Sequence, residues 1–418
     1  MNSSTIAAFW IQQVRQIKKG GFETIWRKLK TVSRRFTIFL LTLLVIPIVI
    51  VVRIIKPWCW IRFGWFLGSR IGHFAFDVEY YLSERKVGLH PEKAIDVFFY
   101  HWGKPSNAFF TKMIERYLLV YNWVEPLFIA NNWIPGGDQH RILPAYDNYN
   151  SRDINGLLKR VEPQLSFLEE ENKTAHSFLK SIGIGQQKFV CMIIRDSAYL
   201  KNADYHNYRD VDISTLKEAA LALAEKGYWV FRMGKVVHEP FKSDHPRILD
   251  YANSKFRSDF LDIWLMANCF FCISTGTGLD EVASVFRRPA VYVNNIPLHQ
   301  LVTYDHVITV PKYLIWEEIN KQLTLSEHLA YPYFHTDQYD NEKILVVDLT
   351  PKDIKQAVLE IEARLNGTWK DSEEDQRLQD RFWKIFKSHQ DFHKNHGEIH
   401  PEARIGADFL RNNPEWLN

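Results

Sequence analysis

Apolar and polar positions along the chain keep two different periods. Short apolar runs predict strands, and longer stretches with apolar residues three or four apart predict helices. "CWIRFGWF" (59–66) predicts a strand, "LGSR" a turn, and residues 71–86 a helix. "AIDVFFYHW" (94–102) predicts the next strand and residues 106–121 the next helix. Residues 131–155 are rich in loop formers, with Pro135, Gly136, Gly137 and Pro144, and a helix is expected over 157–182. "KFVCMIIRD" (188–196) has six apolar residues in nine, as suits a strand buried on both faces of a parallel sheet. A loop to residue 211 precedes a helix over 212–227, stopped by Gly227, and a strand over 228–234. The pattern continues with a helix over 258–268, N-capped by Ser258 or Asp259, and a strand over 269–274. After a turn come a helix over 279–286, a strand over 290–294, and terminal helices over 350–365 and 371–412. Alternating strands and helices make this an α/β chain. Two units of this size fit two facing Rossmann-like domains, residues 56–185 and 186–349, followed by C-terminal helices over 350–418.

The first 55 residues follow another pattern. Residues 1–35 form a basic head: eight Lys or Arg stand against one acid, Glu23, so the head carries +7 and the remainder −4. Ile6, Phe9, Trp10, Val14 and Ile17 share one helical face among these charges, the signature of an amphipathic helix on a membrane surface. Phe36 to Val52 is a seventeen-residue run without a charge, about 26 Å long as a helix. That is just short of a hydrocarbon core of about 30 Å, and Ile54 and Ile55 extend it. Pro47 is expected to kink it. The stronger positive flank is N-terminal, which places that side in the cytoplasm. A single span would then export everything after residue 55, whereas an interfacial or re-entrant segment over 36–55 would keep both flanks inside. Both arrangements stay open. The expected location is the inner membrane, with the body facing the cytoplasm and membrane lipid as a partner.

Composition narrows the class. A hydrophobic fraction of 46% excludes a disordered chain. No basic and aromatic stripe typical of a nucleic-acid binder follows the head, so nucleic acid is not an expected partner. Of four cysteines, Cys269 and Cys272 have a CxxC spacing, but they lie in an apolar run and read as buried thiols. Walker A, HExxH and GxSxG sequences are absent, and the Gly-x-Gly spacings at 183–185 and 276–278 lack the full dinucleotide fingerprint. No DxD pair stands in a loop after a strand; "DVD" (210–212) opens a helix and reads as its cap. Neither a metal nor a cofactor is expected.

Three loops carry candidate chemistry. "STGTG", Ser274, Thr275, Gly276, Thr277 and Gly278, links a buried strand to a helix. Its glycines allow close backbone approach, and free first-turn amides with hydroxyls suit a phosphate. Glu281, one turn on, is placed to accept ribose hydroxyls. A tight strand–helix turn with no ligand uses the same residues. The second loop begins with Arg195 and Asp196, directly off a buried strand, and continues through Tyr199, His206, Asn207, Tyr208 and Arg209. The planar fork of Arg suits pyrophosphate; a structural ion pair is the alternative. Arg232 ends the following strand in the same manner. In the third loop Gly68 and Gly72 flank Arg70, and His73 and Asp77 share one side of the helix that follows. An inverting sugar transfer needs a base for the acceptor hydroxyl, and His73 is nearest the turn. Capping or packing is the alternative role for it.

"RIGHFAFDVEYYL", "IIRDSAYL" with "HNYRD", "GYWVFRMG", "DYANSKFRSDFLDIWLMANCFFCISTGTGLDEVASVF" and "HPEARIGADFLRNN" resemble, in this order over about residues 53–412, a family of bacterial glycosyltransferases found among genes for surface polysaccharides. The resemblance implies a GT-B type fold with the donor held mainly by the second domain. It implies Arg195, Ser274, Thr275, Gly276, Thr277 and Glu281 on the donor side, and Arg70 and His73 on the acceptor side. A fainter similarity to fucosyltransferases fails at the strand end, where Ile193 stands in place of a His and one Arg in place of two. The expected function is transfer of a sugar from a nucleotide-diphosphate donor to a lipid-linked or growing surface glycan. A nucleotide-sugar epimerase and a non-catalytic glycan-assembly subunit are the alternatives.

Overall fold

The structure is a computed structural model that describes the backbone of residues 3–101, 103–143, 152–195 and 204–418, with side chains from residue 21 onward except those of 23 and 204–206. The first elements in chain order are α1 (Ser3–Ile54), β1 (Trp60–Phe66), α2 (Ile71–Lys86), β2 (Ala94–Tyr100), α3 (Ala108–Ile114), β3 (Leu119–Val120) and α4 (Glu125–Trp133). The chain divides into two compact units: residues 1–65, 93–101 and 118–142, and residues 66–92, 102–117 and 143–418.

The first unit holds α1, α4 and a three-stranded sheet of order β1-β2-β3. α1 runs on through Pro47; its one non-helical residue is Gly21, at φ 54° and ψ −148°, so the expected kink lies 26 residues earlier than the proline. Val49 and Val52 of α1 enter a core with Phe63, Phe99, Val124, Leu127 and Ala130. The helix expected over 106–121 ends at Ile114. Leu119 and Val120 instead pair in parallel with Val97 and Phe98, because sheet pairing outweighs a short stretch of helical period.

The second unit is built on seven strands: β4 (Phe189–Ile193), β5 (Trp229–Met233), β6 (Ile248–Leu249), β7 (Cys272–Ser274), β8 (Ala290–Val293), β9 (Val307–Val310) and, after three intervening strands, β13 (Arg404–Ile405). They pair in the order β13-β9-β8-β7-β4-β5-β6, all in parallel. The chain starts in the middle at β4, adds β5 and β6 on one side, then returns to add β7, β8 and β9 on the other. This is the doubly wound order of a Rossmann sheet, and its direction reverses between β4 and β7. Val190, Met192, Val230, Ile273 and Val291 are buried in its core. The intervening strands β10 (Tyr313–Trp316), β11 (Lys321–Gln322) and β12 (Ile344–Val347) form a small antiparallel sheet of order β11-β10-β12.

Local chemistry accounts for the boundaries. Ser258 is the cap of the helix over 259–268, its Oγ accepting from Leu261 N at 3.1 Å. Gly227 sits at φ 98°, beyond the last helical turn. Asp212 caps as expected, accepting from Ser214 N at 2.8 Å, although the turn it opens is a 3-10 helix. Two expected helices are broken. That over 157–182 is Leu157–Arg160 followed by Glu169–Ser181, with Pro163 between them. That over 371–412 splits into Glu373–Ser388, Phe392–Asn395, β13 and Ala407–Asn412, with Pro401 in the gap.

Candidate functional site

The strand order reverses between β4 and β7, and sheets of this kind bind ligands at the carboxyl ends of the strands beside such a reversal. Ile193 is in register with Ser274. Just beyond, Arg195 N donates to Thr275 Oγ1 at 2.8 Å and Thr275 N donates to Ile193 O at 3.3 Å. The two strand ends are thereby stitched by side chain and backbone. Arg195 Nε lies 3.7 Å from Asp210 Oδ1, with both side chains partly exposed. Arg209, half-buried, donates through Nη2 to Gly276 O. The structure therefore brings Arg195, Arg209, Thr275 and Gly276 together. Asp196 and Tyr199 lie outside the described residues, as does the side chain of His206.

The turn from β7 holds itself. Asp280 Oδ2 accepts from Ser274 Oγ at 2.5 Å and from Thr277 N at 2.9 Å, and Oδ1 accepts from Glu281 N at 3.0 Å. Ser274 Oγ also accepts from Gly276 N at 3.0 Å. The amides of Gly276, Thr277 and Glu281, expected to be free for a phosphate, are thus engaged. The hydroxyls of Ser274 and Thr275 are buried and engaged as well. What the turn leaves for a ligand is the exposed backbone at Gly278 and the Thr277 hydroxyl, whose Oγ1 is shielded and has no hydrogen-bond partner among the described residues. Gly276 sits at φ 72°, and a Cβ there would come within 3.0 Å of Asn295 Oδ1.

The start of α2 lies directly against this turn. A Cβ on Gly72 would fall 3.0 Å from Gly278 Cα and 3.3 Å from Glu281 Cγ. Two backbones meet there with no room for a side chain. His73 follows at once and is half-buried; burial, with Arg70 nearby, lowers its pKa to about 4, so the ring is neutral at pH 7. Arg70 is exposed at the N-cap of α2. Asp77, expected beside His73 as a possible base, is fully buried, which removes it from contact with an acceptor. Glu281 Oε2 is shielded and without a partner among the described residues. Burial, then the neighbouring Asp280, push Glu281 up to about 8. Asp280 accepts three hydrogen bonds, so of this adjacent pair Asp280 holds the charge and Glu281 the proton.

Two expected contacts are structural instead. Arg232 is within β5, buried to 1% exposure and paired with Asp250 Oδ1 at 3.3 Å. Tyr208 is buried in the core beneath the small sheet, 5.4 Å from the ring of Tyr339. Asn207 is exposed, its carbonyl accepting from Asp210 N. The sequence reading missed Asp280, although "TGLD" has the spacing of a capping box. It also missed Arg152, a buried guanidinium that donates to Leu301 O at 2.7 Å and to Gln300 O and draws the Glu281 carboxyl down against the effect of burial. Nothing local to Arg152 in the sequence marks it. Cys191, Cys269 and Cys272 are free, buried thiols. Among the described residues no group of three or more His, Cys, Asp or Glu is arranged to hold a metal ion.

No protein-family model matches the chain, and no curated protein matches it. Among solved structures it is similar to E. coli ADP-heptose LPS heptosyltransferase II, at 13% identity and a TM-score of 0.40, over 73% of this chain and 99% of that one. It is similar to a glycosyl transferase family 9 structure from Veillonella parvula at 12% identity and a TM-score of 0.37, over 60% and 86%. It is similar to an E. coli heptosyltransferase with ADP at 11% identity and a TM-score of 0.28, over 60% and 91%. At scores this low neither fold nor activity is transferred from them.

Proposed function

We propose that the chain is a membrane-associated glycosyltransferase that moves a sugar from a nucleotide-diphosphate donor to a lipid-linked or growing surface glycan. The observation that carries this reading is the Rossmann strand order with Arg195 and Thr275 bonded across its reversal point. The guanidiniums of Arg195 and Arg209 would meet the diphosphate, with Gly278 and the Thr277 hydroxyl completing its cradle. Charge-assisted bonds from a guanidinium stabilise negative charge as it grows on the leaving diphosphate. His73, neutral at pH 7, would accept the proton of the acceptor hydroxyl as its oxygen attacks the anomeric carbon and the nucleoside diphosphate departs. Protonated Glu281 would donate to a donor hydroxyl rather than only accept. The body would face the cytoplasm, where nucleotide sugars are made, with the basic head on the inner membrane.

Ligand-induced thermal stabilisation of the full-length chain in detergent tests the reading, with UDP-, GDP-, CMP-, dTDP- and ADP-sugars, each without and with Mg²⁺. A ligand that binds only the folded state raises the melting temperature. One nucleotide diphosphate raising it, with Arg195→Ala weakening that binding by roughly 10- to 100-fold, is the expected result. No shift with any of them overturns the donor assignment.

A further inference from the structure

Residues 24–54 form a helix long and apolar enough to cross a bilayer, yet one stripe of it is already in use. Thr42, Val45, Ile46, Val49 and Val52 stand at i, i+3, i+4, i+7 and i+10, one helical stripe, and pack on the rest of the first unit. Both ends of the apolar run are tied to the same short helix, α4. Arg34 Nη2 bonds Glu125 Oε2 at 3.1 Å. Arg53 Nη2 bonds Asn131 O at 2.7 Å, and its Nη1 bonds Pro135 O at 2.7 Å. Between them the Phe39 ring meets that of Trp133 at 6.0 Å. Arg34 and Arg53 are about 28 Å apart along a helix, so folded protein is fastened near both ends of the apolar run.

That protein cannot lie in hydrocarbon. It carries the Arg62–Asp96 ion pair, at 2.6 Å, Glu125, and a sheet with open edges. Unsatisfied backbone edges and ionised side chains do not enter the bilayer core unless protein or water covers them. A helix crossing the membrane would carry this packed surface in with it. The opposite face of the same helix is apolar and uncovered: Leu44 is 72% exposed, and Phe36, Ile48, Val51 and Ile54 lie on that side, with Trp58 just past its end at 83%. Such a face needs a cover. The eight Lys and Arg of residues 1–35 favour an anionic one.

We infer that residues 36–55 lie within one leaflet of an anionic bilayer, docked on their own unit by the Thr42–Val52 stripe, and leave both flanks on the same side. This deepens the membrane part of the proposed function and is independent of the transfer chemistry. The test uses the full-length chain expressed in bacteria, with Cys59→Ser as background. Ser33→Cys, at an exposed position before the apolar run, and Glu170→Cys, at an exposed position in the body, are modified by an impermeant maleimide in spheroplasts and in inverted vesicles. Equal modification of both positions in the same preparation is expected. Modification in opposite preparations, or of Ser33→Cys only after detergent, overturns the inference and leaves membrane association standing. Flotation of the purified chain with phosphatidylglycerol vesicles separates the remaining case. A chain that does not float and cross-links to itself has its apolar face covered by a second copy; this overturns the inference together with the membrane part of the proposed function.

Discussion

The amide of Arg195 donates to the Thr275 hydroxyl at 2.8 Å, joining the carboxyl ends of β4 and β7 where the sheet reverses direction. The bond fixes where the Arg195 side chain leaves the sheet. Thr275→Val keeps the shape and removes the acceptor. Leaving a largely buried donor unpaired costs about 1–3 kcal/mol. Denaturant unfolding should show a lower midpoint at unchanged m, and nucleotide affinity should fall with it. Thr275→Ser should restore both, because it returns the oxygen.

Gly72 and Gly278 touch backbone to backbone. The Cβ of Gly72→Ala would meet Gly278 Cα at 3.0 Å, and neither main chain can yield as a side chain does. Overpacking of this kind costs about 1–3 kcal/mol. Gly185→Ala is the control, since its nearest neighbour would be a flexible Gln187 side chain at 3.6 Å. Paired melts should separate the two variants, with Gly185→Ala close to wild type. Equal effects would mean that the start of α2 moves freely against the turn.

Ser274 and Thr277 stand three residues apart in one turn and should behave oppositely. Ser274→Ala removes the donor to Asp280 and the acceptor for Gly276 N, and should lower stability by about 1–3 kcal/mol. Thr277→Val removes a hydroxyl with no partner among the described residues, so its unfolding midpoint should stay close to wild type. Its nucleotide affinity should nevertheless fall, as measured by titration calorimetry. Unchanged affinity would take Thr277 out of the proposed cradle.

The particular elements show what one-dimensional patterns carry. The buried run at 188–196 and the Ser258 cap are local signals, and both appear in the structure close to where they were expected. The Leu119–Val120 strand was not legible, because its helical period is overruled by a partner, β2, some twenty residues earlier. At the site, the glycines of "STGTG" read as close approach to a ligand, and what the structure shows is Gly278 against the backbone of Gly72. Of the turn's hydroxyls, that of Ser274 is claimed by Asp280 six residues on, and that of Thr275 by the amide of Arg195, eighty residues earlier, which nothing local announces. Arg232 misled in the same way: an Arg near a strand end reads as a ligand contact, and only the fold supplies Asp250.

His73 should titrate far below an ordinary histidine. Burial and Arg70 hold its folded pKa near 4, against about 6.5 unfolded. The unfolded chain therefore binds more protons between these values, so this group's share of stability is present above pH 6.5 and is lost as pH falls towards 4. His73→Gln should remove that component of the acid limb. Proton NMR of the imidazole should show it neutral at pH 6. A titration near 6.5 would mean that the ring is more open to water than the structure has it.

Glu281 gives the opposite sign. Its folded pKa, pushed up to about 8, lies above the 4.5 of an ordinary glutamate, so the folded chain binds the extra proton through this window. Stability must then fall as pH rises from about 4.5 to about 8, because ionising a shielded carboxyl beside Asp280 is unfavourable. Glu281→Gln keeps the shape of the protonated acid and cannot ionise. Its melting temperature should match wild type near pH 5 and exceed it by a few degrees at pH 8.5. Nucleotide binding should separate along the same axis. A diphosphate brings further negative charge and favours the protonated carboxyl, so wild-type affinity should weaken above pH 8 while that of Glu281→Gln holds. Parallel melting curves for the two proteins from pH 5 to 8.5 would show that Glu281 is ionised throughout, with Arg152 as its effective counter-charge.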